Sequence, residues 1–469
     1  MAQSDAQFDV VVVGGGIVGA GTAALAARLG LRVALLERDD FASGTSGASS
    51  KLIHGGLRYL RLGDVRLVRE AHRESRILRH RVAPHLVRDL RFVMPVYRGG
   101  PYGPVAIGAA MAAYGTLARR RASLVSRAHA RRLVPALRGD ALRAAGVFWD
   151  AQTNDARLVL ANVRAAADAG ALVANRCEVI GIERGAVHTS TGLELRTRHV
   201  VNATGPSVDS MRRLEDPRAG TSVALSRGAH LVVDLPDGWN AALAVPVDRT
   251  RIAFALPWEG VLLLGTTDTA AETAEVTDED EAQVLAEAER ALPRELLEPQ
   301  AIRARFAGLR VLPLTSSSTA EARREVVLTR GPLGMLSVAG GKLTTYRVIA
   351  RGVLAALGFE VPSTAFPLPG AAEPGEVAAE LDVDPALAQH LARTYGRLAH
   401  EVLEVSNDLR PLAPGAPEVV AQVVYARERE WAVTAEDVLR RRTTLALRGL
   451  GTAEVRAHVD ELLVAGSVA

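Results

Sequence analysis

The chain has 469 residues, 48% hydrophobic and 23% charged, enough to bury a substantial core in two or three domains. Its 56 Lys and Arg against 53 Asp and Glu leave a net charge of +3, which excludes a wholesale nucleic-acid coat. The single cysteine, Cys177, excludes an intrachain disulfide and a Cys-x-x-Cys redox pair, and fits a reducing compartment. The start Met1-Ala2-Gln3-Ser4-Asp5 is polar and lacks a basic run, so no secretory signal is expected.

In chain order, Phe8-Asp9-Val10-Val11-Val12-Val13 is short, apolar and β-branched, the pattern of a buried strand in a parallel sheet. Gly14, Gly16 and Gly19 follow at G-x-G-x-x-G spacing. A small-residue helix over residues 20–29 and a second strand over 32–37, ending in Glu37, come next. Gly14 permits the tight turn, Gly16 lets backbone approach a pyrophosphate, and Gly19 packs helix against strand. The helix N-terminus presents N–H groups to phosphate, and Glu37 accepts from adenosine ribose hydroxyls. The glycines alone are a weak sign; strand, helix, second strand and acid together predict a dinucleotide site. Ala23, Gly30 and Val33 extend the pattern until it resembles the N-terminal flavin-binding unit of the glutathione-reductase-like superfamily, which implies FAD rather than NAD.

Residues 43–60, SGTSGASSKLIHGGLRYL, are rich in hydroxyls and glycine and can supply donors to phosphate and flavin. Leu52, Ile53, Leu57, Tyr59 and Leu60 make the stretch too apolar for a flexible surface loop. It resembles the signature of the aerobic-type, FAD-dependent glycerol-3-phosphate dehydrogenases and their oxidase relatives. On that resemblance the expected cofactor contacts here are Gly14, Gly16, Gly19, Glu37, Arg38, Thr45, Ser46, Ser49, Ser50, Lys51, Leu52, His54 and Gly55. Val179, Thr204, Gly205, Gly341, Lys342, Leu343 and Thr344 are expected to join them from further along the chain.

Residues 64–90 read as a basic helix with one buried face, its regular pattern ended by Pro84. Residues 91–97 read as a strand. The uncharged run 99–118, followed by Arg119-Arg120-Arg121, reads equally as a helix lying in a membrane interface or as a buried helix capped by a basic turn. Residues 149–162, WDAQTNDARLVLAN, again resemble the dehydrogenases and open a helix reaching Ala169. Short strands alternate with turns over 172–197. Residues 200–206 are a strand ending in a small-residue turn, which the superfamily resemblance places near the flavin nucleotide. Residues 222–235 and 251–267 have the length and alternation of strands in a second, mixed sheet. Residues 271–298 read as a helix with its acids exposed. Over 336–347, strand, glycine turn and helix offer a second helix N-terminus to an anion or to the edge of a reduced flavin. The Pro- and Gly-rich residues 362–375 read as a linker. Beyond it, 386–405 and 417–430 are predicted helices, Thr434 starts another in capping-box form, and Thr452 is an N-cap alone.

The fold class implied is α/β: a glutathione-reductase-like, Rossmann-type FAD-binding domain with an inserted mixed-sheet substrate domain and a helical C-terminal domain. The FAD-binding segments are expected at 8–90, 146–220 and 331–361, the substrate segments at 91–145 and 221–330, and the helical domain at 376–469. A flavin takes hydride, so the protein must bind substrate, aim one C–H bond and remove a hydroxyl proton. A phosphorylated alcohol needs fixed cations, and the Arg fork bonds two oxygens. Arg58, Arg310 and Arg324 lie in family-like blocks and are the expected phosphate ligands, with hydroxyls from Tyr59 and Thr267 and a cation from Lys342. His230 is the first candidate for proton acceptor and His54 the second, Arg310 completing the catalytic set; a structural role is the rival for each histidine. No metal is expected. The resemblance implies oxidation of sn-glycerol 3-phosphate to dihydroxyacetone phosphate, electrons passing to a membrane quinone. It also implies a cytoplasmic protein held peripherally at the inner face of the cell membrane, and allows a homodimer. The alternatives are an oxygen-using oxidase of the same fold (glycerol-3-phosphate oxidase, or an amino- or hydroxy-acid oxidase) and a non-catalytic or RNA-acting flavin binder. Near-neutral charge and the lack of aromatic-basic interleaving count against RNA.

Overall fold

The structure is a computed structural model and describes residues 7–55, 65–249, 251–314 and 326–465. The valine run forms β1 (Phe8–Val13), in which Val10, Val11 and Val12 have no exposed surface. β1 pairs in parallel with β2 (Val33–Leu36) on one side and Glu194–Asn202 on the other. Leu336–Ala339 continues the parallel sheet beyond Glu194–Asn202, and Leu172–Ala174 continues it beyond β2. Strands in such a sheet are apolar throughout because helices cover them. Here α1 (Ile17–Arg28) lies against the sheet with Asp155–Asp168 and Tyr346–Ala356 packed on it. The small residues of α1 are a packing requirement: a Cβ on Gly21 would stand 2.6 Å from the Tyr346 ring.

A second, mixed sheet holds Val223–Asp234, Val261–Gly265, Ile252–Trp258, Ala242–Pro246, Val87–Tyr97, Leu142–Thr153 and Leu52–Ile53 in that order. Ile302–Pro313 runs antiparallel to Val223–Asp234 along nearly its whole length. Val261–Gly265 and Thr269–Ala270 both pair with Val223–Asp234, the first at His230–Asp234 and the second at Ser226 and Arg227. Thr266, Thr267 and Asp268 therefore leave the ladder between them, beside His230.

Several elements differ from their sequence-based expectation, each for a local reason. Residues 251–267 are a hairpin rather than one strand, turning at Glu259 and Gly260 with φ of 47° and 81°. The basic helix Val65–Ile77 continues only as the wider turn Leu78–Val82; beyond Pro84 the chain is the strand Val87–Tyr97, so residues 87–90 are not helical. Leu142–Thr153 lies wholly in the second sheet, and Val327–Arg330 pairs with the first. The acidic helix is Asp278–Ala288, opened by a Thr277 capping box; its Asp280 is buried against Arg227 at 2.6 Å rather than exposed. The helix expected over 386–405 breaks at Gly396, φ 57°, into Pro385–Tyr395 and Ala399–Val405. Thr434 makes the expected capping box with Asp437, and Thr452 the expected single cap to Val455.

The helical C-terminal region docks on the first sheet through buried charge. Asp40, just beyond β2, receives both Arg441 and Arg442. Arg157 meets Glu430 at 2.7 Å, and the exposed Arg176 reaches the buried Asp437 at 2.7 Å. The uncharged run forms the helix Pro104–Ala118, burying Ile107, Met111, Tyr114 and Ala118 while leaving Val105 87% exposed. Arg120 is not a free surface charge: its fork grips Asp89 with two bonds of 2.7 Å and lies over Trp149. Among the described residues no helix is long and apolar enough to cross a membrane.

Candidate active site

In open parallel sheets ligands bind beyond the carboxyl ends of the strands. Here a cavity of about 930 Å³ occupies that place, closed on its far side by the second sheet. Gly14 leaves β1, Glu37 leaves β2, Thr204 and Gly205 follow Glu194–Asn202, and Gly340 and Gly341 follow Leu336–Ala339; all line the cavity.

The first turn fits a dinucleotide. Gly14 has φ 108°, and a Cβ on it would stand 2.6 Å from the Ala203 carbonyl oxygen. A Cβ on Gly19 would stand 1.9 Å from the Gly14 carbonyl oxygen, so this glycine sits behind the turn and sets helix against strand rather than lining the cavity. At Gly16 a Cβ would meet only the Ser46 side chain, its Oγ at 3.1 Å, so bare backbone faces the space a pyrophosphate needs. One terminal donor of α1 is held internally, the Ile17 N–H bonding Ser46 Oγ at 2.9 Å. Glu37 also fixes the turn: its carboxylate accepts from the Gly15 N–H at 2.6 Å and the Asp39 N–H at 2.9 Å. Burial raises its pKa while these bonds pull it down.

Arg38, Thr45, Ser46, Ser49, Ser50, Leu52, His54, Val179, Lys342, Leu343 and Thr344 line the same cavity. Several of the hydroxyls expected to serve a ligand instead fasten the wall. Thr45 donates to Leu309 O at 2.6 Å, Ser49 to Asp155 at 2.7 Å and Thr204 to Asn202 at 2.7 Å; Thr344 accepts the His54 N–H at 3.1 Å. Lys51, expected among the cofactor contacts, stands behind the lining. Its ammonium is fully buried, 2.6 Å from Asp155 and 3.1 Å from Gly47 O, under the rings of Trp258 and Phe306, and does not line the cavity. Gly55 also stands outside the lining, its N–H bonded to Asp150 at 2.9 Å and its Cβ position filled by His72. Arg58, Tyr59 and Arg324 lie outside the described residues.

The second sheet supplies the opposite wall. His230 is buried, stacked on Phe306 at 4.8 Å and bonded through Nε2 to Ser50 Oγ at 2.9 Å. Burial, then the charges of Arg310 and Lys51, lower its pKa to about 3, so the ring is neutral at neutral pH. Arg310 donates to Thr267 O at 3.0 Å and Thr266 Oγ1 at 2.9 Å. It passes over Gly228, where a Cβ would stand 2.3 Å from its guanidinium. Thr267 is fully buried, its hydroxyl accepting the Ala229 N–H at 3.0 Å, so it braces this bulge. Five charged lining residues were given no site role by the sequence reading: Asp39, Asp150, Glu178, Asp268 and Arg251, the last paired with Glu287 at 2.8 Å. Asp150 is one of two acids in the 149–162 block, and the pairing of Leu52–Ile53 with that strand brings it to the wall.

Residues 9–347 match the family model described as FAD dependent oxidoreductase, and residues 362–464 match the C-terminal domain of alpha-glycerophosphate oxidase. A Synechocystis glycerol-3-phosphate dehydrogenase is 34% identical, over 94% of this chain and 89% of its own. The human mitochondrial glycerol-3-phosphate dehydrogenase is 33% identical over 96% of this chain and 69% of its own. The solved structure of the Bacillus halodurans glycerol-3-phosphate dehydrogenase, complexed with FAD, superposes with a TM-score of 0.75 at 27% identity, covering 99% of this chain and 95% of that one. The cradle and these matches agree on the cofactor, FAD, and the chain belongs to the FAD-dependent glycerol-3-phosphate dehydrogenase family.

Proposed function

We propose that the protein oxidises sn-glycerol 3-phosphate to dihydroxyacetone phosphate and delivers the electrons to a membrane quinone. The observation that carries this reading is the pairing of walls. A dinucleotide cradle faces a bulge in which Arg310 is locked by Thr266 and Thr267 next to a buried, neutral His230. Gly14, Gly16, Glu37, Thr204, Gly205 and the turn Gly341–Thr344 would hold FAD, which supplies the acceptor for the substrate C2 hydride. Arg310, with Lys342 across the cavity, binds phosphate; Arg58, Tyr59 and Arg324 belong to the same proposal on sequence alone. His230 and Ser50 receive the hydroxyl proton. The cations that depress His230 also favour the alkoxide form of the substrate, so a weak base suffices.

A quinone acceptor places the protein at a membrane surface. The exposed side of Pro104–Ala118 carries Val105, Ala106, Ala109, Ala112 and Ala113, and Arg119 and Arg121 flank it, a composition suited to shallow insertion beside anionic lipid. The test supplies glycerol 3-phosphate and a short-chain quinone without oxygen and measures dihydroxyacetone phosphate. One product per quinone reduced is expected. Turnover only with oxygen, yielding peroxide, would replace the quinone reading by the oxidase one.

A further inference from the structure

Asp150 is 6% exposed, lines the cavity and is matched by two donors. Oδ1 accepts the Gly55 N–H at 2.9 Å, and Oδ2 accepts the Tyr114 O–H at 2.6 Å. Leu52 and Ile53 pair with Gln152 and Ala151, so His54 and Gly55 run past this carboxyl as the chain leaves the sheet. The His54 N–H is held in turn by Thr344 in the glycine turn of the first sheet. The Gly55 and His54 bonds thus fix one short stretch of wall between the two sheets.

We propose that Asp150 is a protonation-controlled positioning residue of the active site: ionised, it holds Gly55 behind the cavity lining and so keeps the adjoining His54 in the wall, and protonated it loosens that hold. The inference rests on the proposed substrate for its kinetic readout only. A proton on Oδ2 would turn Tyr114 from donor to acceptor and leave the Tyr114 hydrogen without this carboxylate. It would also reduce the Gly55 bond from charge-assisted to neutral, about half as strong.

The surroundings put this change near neutral pH. Burial raises Asp150 to about 7, against the pull of Tyr114, Gly55, Arg79 and Arg120. Tyr114 approaches from Pro104–Ala118 and is itself pushed far up by burial and by this carboxylate. His72 approaches from Val65–Ile77, its ring 4.8 Å from Tyr114; burial and Arg76, Arg79 and Arg120 lower it to about 4, so it stays neutral while Asp150 titrates. Arg79 and Arg120 both pair with Asp89, at 2.6 and 2.7 Å, which offsets much of their charge toward Asp150.

The test follows kcat at saturating glycerol 3-phosphate from about pH 5.5 to about pH 9 on holoenzyme, which removes the free substrate's own phosphate ionisation at about pH 6, with FAD occupancy read from absorbance at each pH. One acid limb, centred near pH 7 and falling about tenfold, is expected. Asp150→Asn keeps the shape without the charge and should flatten that limb at its acid-side level. Tyr114→Phe removes a donor to the carboxylate and should move the limb to higher pH. Infrared difference spectra between about pH 6 and about pH 8, without substrate, should show a carboxylic-acid carbonyl band that Asp150→Asn lacks. A limb that survives Asp150→Asn, or that Tyr114→Phe leaves in place, would overturn the proposal, as would absence of the band. If Asp150→Asn fails to fold, Tyr114→Phe and the wild-type band decide. Failure of glycerol 3-phosphate to react at any pH would contradict the substrate reading, while the infrared band would still test Asp150.

Discussion

Arg310 is where one side chain carries most of the proposed chemistry. Its fork is held by two acceptors on the bulge, so a Lys there keeps the charge and loses the geometry. Arg310→Ala should cost about 2–4 kcal/mol of transition-state binding, roughly 30- to 1000-fold in kcat/KM, and Arg310→Lys nearly as much. Gly228→Ala reaches the same group from beneath, because the added carbon would stand 2.3 Å from the guanidinium. It should lower kcat/KM with FAD still bound, which steady-state kinetics and flavin absorbance read together. Gly16→Val fills the pyrophosphate approach and should give a folded, colourless protein. The glycine roles and the place of Arg310 in the cavity wall were legible because spacing and a charge inside an apolar block carry them. That Ser49, Thr45 and Thr204 brace the wall, and that Lys51 is buried under Trp258, was not. Those facts depend on partners 2 to 264 residues away.

Elements were legible wherever the punctuation is local. Thr434 and Thr452 cap helices as their spacing predicts, and the strand–glycine–helix–strand unit stands at its expected place. Glu259-Gly260 and Gly396 are turn signals whose force the apolar pattern around them masked. How elements dock was invisible, since buried ion pairs join distant segments. Arg157 and Glu430 are each 5% exposed, and the guanidinium also lies 4.4 Å from the centre of the Tyr395 ring. Arg157→Met leaves Glu430 buried and unpaired and should destabilise the protein by about 3–5 kcal/mol, read from the denaturant midpoint of the holoenzyme. The exposed helix face makes a separate prediction. Wild type should pellet with anionic vesicles and Arg119→Glu with Arg121→Glu should not, both being reduced equally by substrate. Arg120 is spared because it anchors Asp89.

At the scale of the molecule, pH acts through buried groups. Burial lowers His85 and His230 to about 3 and His72 to about 4, so between there and the ordinary value near 6.5 the unfolded chain binds the extra protons. Stability is therefore lost as pH falls below about 6.5, by about 1.4 kcal/mol per pH unit for each histidine. Asp150, raised to about 7, works the other way, its contribution falling as pH rises toward that value, but the histidines outnumber it. Denaturant midpoints at about pH 5 should lie below those at about pH 7. If one cavity brings a flavin and a phosphorylated alcohol together, the substrate should reduce the flavin directly. The decisive measurement mixes the yellow holoenzyme with glycerol 3-phosphate in the absence of oxygen and follows flavin absorbance. The flavin band should bleach on a catalytic timescale with glycerol 3-phosphate and not with glycerol. An unchanged band with glycerol 3-phosphate, or equal bleaching by glycerol or an amino acid, would contradict the account.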